Sequence, residues 1–104
     1  MQVLLCKAED LPDGGMRHFE LMGYDILLVR NGGRLFATDA ACTVSWAMLA
    51  EGTLDAETNA VTCPQCGSVF DLASGQPRSG PAKFPLTVYE AVVNGDEVTL
   101  TFTY

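Results

Sequence analysis

Two tight turns limit what this chain can fold into. Asn31-Gly32-Gly33 and Asn94-Gly95-Asp96 each set Asn-Gly between β-type runs. That pair tolerates the positive φ that primed hairpin turns require. The first turn joins Tyr24 to Arg30 (YDILLVR) with Arg34 to Thr38 (RLFAT). The second joins Leu86 to Val93 (LTVYEAVV) with Glu97 to Tyr104 (EVTLTFTY), a run that alternates polar and apolar residues. Further short β-type runs lie at Val3 to Cys6, His18 to Leu21 and Val69 to Leu72. They are punctuated by Leu11-Pro12-Asp13-Gly14-Gly15, by Gly23 and by Ser74-Gly75. The best helix-like window, Ala40 to Glu51, is short and uncapped. The expectation is an antiparallel all-β sandwich or barrel. Tyr24, Phe36, Tyr89 and Phe102 stand at strand positions that suit its core or sheet surface.

A chain of 104 residues builds one domain with one core. Its formal charge of −7 excludes the basic footprint of a nucleic-acid surface. The same charge suits steering onto basic protein partners. No apolar run reaches the roughly 20 residues of a membrane helix. The start, MQVLLCKAED, has no basic flank before its apolar residues and so makes a poor signal peptide. A cytoplasmic protein is expected, whose four cysteines are thiols or metal ligands rather than structural disulfides.

Three of those cysteines, Cys42, Cys63 and Cys66, fall in turn-rich segments where thiolates can converge. The stretch CPQCGSVFD sets Cys63 and Cys66 at a spacing from which a tight loop delivers both sulfurs to one ion. Thiol–disulfide exchange uses the same spacing, but at a helix N-terminus. Here Gly67 and β-type residues follow Cys66. Cys6, in the first strand, reads as a small buried hydrophobe.

The segment from Cys42-Thr43-Val44 through CPQCGSVFDLASGQPRSGPAKFPLTVYEAVV resembles the Rieske iron–sulfur domain. That family carries C-x-H in one loop and C-x-x-H in the next, then a G-x-x-F/Y-D strand, a T/S-G turn and a G-P-A loop. Gly67, Phe70, Asp71, Ser74-Gly75 and Gly80-Pro81-Ala82 match, as does Met48 to Leu54 between the loops. The likeness spans nearly the whole chain and is greatest to the soluble ferredoxins of ring-hydroxylating oxygenases. It implies an antiparallel β-sandwich base with a small metal-binding subdomain from about Cys42 to Pro81. It further implies a carrier of single electrons between a flavin reductase and a terminal oxygenase, which is no catalyst alone.

Two positions depart from the pattern. In the family two cysteines hold the inner iron of a [2Fe-2S] cluster and two histidines the outer iron. Cys42 and Cys63 match the inner pair, but Val44 and Cys66 stand at the histidine positions. The only histidine is His18, in neither loop. Three outcomes are open. A cluster assembles on Cys42, Cys63 and Cys66, with Ser45, water or another group beside Val44. The three thiolates hold a single zinc or iron ion with an unnamed fourth ligand. Or no metal binds and the fold is an accessory subunit, as in the cluster-free small subunits of nitrite reductases. A cluster without imidazole ligands is expected at lower potential, with little pH dependence near neutrality.

Other roles follow from the resemblance. Ser68 matches a serine that donates to a bridging sulfide, and Phe70 replaces the tyrosine of high-potential members. Pro81 matches the loop that covers the cluster, and Trp46 is expected to pack inside the first ligand loop. With one histidine, no carboxylate pair and no phosphate loop, the sequence offers no machinery for hydrolysis or nucleotide chemistry.

Overall fold

In a computed structural model of the chain, residues 2–21 and 23–101 are described. Phe102, Thr103 and Tyr104, the end of the expected closing strand, lie outside the described residues. The described strands are β1 (Gln2–Lys7), β2 (Met16–Leu21), β3 (Tyr24–Asn31), β4 (Arg34–Asp39), β5 (Thr53–Asp55), β6 (Ala60–Thr62), β7 (Val69–Asp71), β8 (Pro77–Ser79), β9 (Val88–Asn94) and β10 (Glu97–Thr101). Two antiparallel sheets result, ordered β1-β10-β9-β4-β3-β2 and β5-β6-β7-β8.

Both Asn-Gly turns form the expected hairpins. Asn31 pairs with Arg34 across the first, and Asn94 with Glu97 across the second. Gly32 and Gly33 have φ of 62° and 81°, values open to glycine at no steric cost. The helix-like window is not a helix. Its only helical residues are the short 3-10 turn Leu49–Glu51, and the rest is loop around Cys42.

Strand β3 divides two cores. Ile26, Leu27, Leu28 and Val29 are all buried, and successive strand residues face opposite ways. Ile26 and Leu28 therefore join Leu11, Ala37, Val98 and Leu100. Leu27 and Val29 join Phe36, Leu49, Val61, Phe70 and Leu72, together with Cys42 and Cys63. Residues of β10 and β3 share the first core although β9 and β4 lie between them in the sheet, so the large sheet curls like a barrel. The second core seats the small sheet and the cysteine loops against the outer face of that curl.

Candidate metal centre

Two loops carry the cysteines, and they are built alike. In the first, the Cys42 N–H donates to the Ala47 carbonyl at 3.0 Å, and the Trp46 N–H donates back to the Cys42 carbonyl at 3.1 Å. In the second, the Cys63 N–H donates to the Ser68 carbonyl at 2.8 Å, and the Gly67 N–H returns to the Cys63 carbonyl at 3.2 Å. Each loop closes through one residue in the left-handed region, Trp46 at φ 63° and Gly67 at φ 75°. Glycine enters that region freely, whereas the tryptophan is strained there.

The loops are pinned from below. The Leu49 N–H donates to the Ala40 carbonyl at 2.8 Å, and Ala41 pairs with Met48, which closes the first loop at its base. The second loop bridges β6 and β7, whose residues Val61 and Phe70 pair directly. Gly52, between the loops, packs so tightly that a Cβ there would meet the Thr62 carbonyl oxygen at 2.0 Å.

The sulfurs of Cys42, Cys63 and Cys66 lie within 4.8 Å of one another. Cys42 and Cys66 are 3.5 Å apart. The Ser45 hydroxyl lies 3.4 Å from the Cys63 sulfur. Ser68, fully buried, brings its hydroxyl within 3.1 Å of the Cys66 sulfur and accepts from the Ala82 N–H at 3.1 Å. Gly80 makes that approach possible: a Cβ there would meet the Ser68 Cα at 2.6 Å.

These neighbours set the thiols apart. The Ser68 hydroxyl and backbone amide hold the Cys66 thiol down to about 6. Burial pushes the Cys42 thiol up, against hydrogen bonds from the amides of Ser45 and Val44. Cys42 and Cys63 are buried, and Cys66 is partly exposed. Such an array of converging thiols with amide N–H groups aimed at sulfur suits a thiophilic ion.

The rim is apolar and open to water. Trp46 is 73% exposed, Phe84 70% and Val44 43%. The expectation that Trp46 packs inside its loop is therefore corrected, because its left-handed backbone turns the indole outward. Val44 offers no donor atom. Phe84 is tied to the first loop, since its carbonyl accepts from the Thr43 hydroxyl at 2.9 Å.

The remaining sequence candidates fall elsewhere. Pro81 is exposed, and its neighbour Ala82 makes the buried contact with Ser68. His18 sits on β2 with its Nε2 2.7 Å from the Asp25 carboxylate, and it is not among the residues whose donor atoms converge with the three cysteines. Cys6 packs beside the other core, and burial pushes its thiol up. Phe70 is fully buried in the same cluster as Cys42 and Cys63. Sequence reasoning underrated Ser45. Its signal was there, a cysteine-x-x-serine spacing that repeats the cysteine-x-x-cysteine of the second loop.

The family described as the Rieske [2Fe-2S] domain matches residues 1–90. Ferredoxin CarAc of Metapseudomonas resinovorans is 38% identical over 95 residues, which cover 90% of this chain and 87% of the relative. The ferredoxin of carbazole 1,9a-dioxygenase from Nocardioides aromaticivorans IC177 superposes with a TM-score of 0.92 at 28% identity, covering 96% of each chain. A chain in the complex of reduced oxygenase and oxidized ferredoxin of carbazole 1,9a-dioxygenase superposes at 0.88, with 34% identity over 95% of this chain and 91% of its own.

Proposed function

The chain belongs to the Rieske [2Fe-2S] domain family, and from that premise we propose that it is the ferredoxin component of an oxygenase system. It takes single electrons from a flavin reductase and delivers them to a terminal oxygenase, and performs no catalysis itself. The observation that carries this reading is the convergence of three cysteine sulfurs at an exposed apolar tip, in a fold shared with oxygenase ferredoxins. On this reading the metal-binding subdomain is residues 42–81, and Cys42, Cys63 and Cys66 hold the redox-active metal. Ser68 fixes the Cys66 sulfur, and Pro81 flanks the site through Ala82.

The residues present do not fit the family's group as the family holds it. A [2Fe-2S] cluster of this kind needs two donors on each of two irons, the outer pair imidazoles. Here the outer positions are Val44, without a donor, and Cys66. The Cys66 sulfur lies 3.5 Å from the sulfur of Cys42. What the chain's own residues do is clear in outline. They bring thiols together, bury two of them, and keep the third under an apolar rim where a partner can approach closely.

A reductive titration of the anaerobically purified protein tests the carrier role. We expect uptake of one electron per chain, returned on addition of ferricyanide. A protein that takes up no electron across the roughly −700 to +450 mV span of biological iron–sulfur centres is not a carrier.

A further inference from the structure

We infer that the site is built for one tetrahedral metal ion, held by Cys42, Cys63, Cys66 and the Ser45 hydroxyl. This deepens the carrier reading and rests on it for the identity of the ion as iron.

The two loops share one plan. Each runs cysteine-x-x-donor, with Ser45 standing in the first loop where Cys66 stands in the second. Each is closed by the same pair of backbone hydrogen bonds, and each has its left-handed residue directly after the donor. The side-chain contacts are reciprocal as well. Cys66 of the second loop reaches Cys42 of the first at 3.5 Å, and Ser45 of the first reaches Cys63 of the second at 3.4 Å. Two knuckles facing each other in this way would offer three sulfurs and one hydroxyl to a single ion.

The distances agree with that geometry. With metal–sulfur bonds of about 2.3 Å and metal–oxygen bonds of about 2.0 Å, a tetrahedral site has sulfur–sulfur edges near ~3.8 Å and sulfur–oxygen edges near ~3.5 Å. The contacts at 3.5 and 3.4 Å lie close to these, and no sulfur pair exceeds 4.8 Å. The family's own first-loop ligand position, two residues after the cysteine, holds Val44 with its side chain at the surface. The donor lies one residue further on. Iron held by these four donors would supply a one-electron ferric/ferrous couple, taking its electron from the reductase and passing it to the oxygenase.

The test combines composition with ligand substitution. Protein from iron-replete cells, purified anaerobically, is expected to hold one iron per chain and no acid-labile sulfide. Two irons with two sulfides overturn the single-ion inference and leave the carrier reading standing. One zinc and no iron sustains the four-donor site but removes the carrier role. Absence of any metal overturns both. Cobalt(II) then reports the ligands directly. The metal-free protein with one equivalent of cobalt should give the strong visible bands of a four-coordinate ion. Ser45→Ala should shift those bands and weaken retention at least tenfold in chelator competition. Ser45→Cys should raise the thiolate-to-cobalt absorption in the ratio of four sulfurs to three, which also covers the case of an alanine variant that fails to fold. Cobalt spectra unchanged in both variants would remove Ser45 from the site.

Discussion

Cys66 is the thiol whose chemistry departs furthest from ordinary. Its partners Ser68 Oγ and the Ser68 amide stabilise the thiolate, so it titrates about 6 instead of 9.0. The group is therefore ionised at neutral pH, and an arriving metal has little proton to displace. Iodoacetamide labelling of the metal-free protein, followed by peptide mass spectrometry across pH, should modify Cys66 with a midpoint near 6. Cys42 and Cys6, both pushed up by burial, should react only under more alkaline conditions. Ser68→Ala should move the Cys66 midpoint upward; an unmoved midpoint would rule out the hydroxyl as the cause. The sign for folding follows from the lowered value. The stabilisation from this thiolate is complete above pH 9.0 and is lost as pH falls through about 6. At this scale the sequence told most about the ligands and least about their surroundings. Cysteine spacing located the three thiols, but nothing in the residue string announced that Trp46 would adopt a left-handed backbone and stand in water.

The small sheet depends on a few polar ties because its strands are so short. Asp71, at the end of β7, accepts from the Ser74 amide at 2.9 Å and the Ser74 hydroxyl at 2.8 Å, and it pairs with Arg78 of β8. Arg78 also donates to the Thr58 carbonyl at 2.7 Å, ahead of β6. Burial pushes the Asp71 carboxyl up, but the Ser74 and Arg78 contacts outweigh it, so the group titrates below 3.8. Its contribution is then present above pH 3.8 and is lost as pH falls through the lower folded value. Asp71→Asn should cost about 1 to 2 kcal/mol at pH 7, with the gap from the parent closing below about pH 4, as read by urea unfolding. A gap that persists in acid would assign the loss to packing instead. The strands flanking the Asn-Gly turns were legible because runs of five to eight β-type residues stand on either side and the turn fixes the register. β5, β6 and β8 were not: each has three residues, and unlike Val69-Phe70 of β7 none carries an aromatic β-type pair to mark it. Each is held by the strand next to it in the chain, β5 by β6, β6 by β7 and β8 by β7, and β5 and β6 also pack against the second core. The window from Ala40 to Glu51, short and uncapped in sequence, holds only one 3-10 turn, and Cys42 and Leu49 are buried through the closed loop that joins them.

Over the whole molecule, 13 acidic side chains against 6 basic ones leave a net charge of −7. An acidic carrier with an apolar tip is drawn to a basic partner over long range and held briefly by contact at short range. The rate at which a cognate reductase reduces this protein should fall about tenfold or more between low salt and roughly 0.5 M salt, measured by stopped flow. A rate indifferent to salt would remove charge from the encounter. Among the described residues no helix is long and apolar enough to cross a membrane. The chain has one tryptophan, Trp46, and the loop that carries Cys42 leaves it 73% exposed one position after Ser45. Emission from a ring so wet is shifted to the red. Settling another protein over the tip dries the ring and turns its light bluer, and a redox metal in the site dims it. The fold thus contains its own optical gauge, able to report loading and docking without any attached dye.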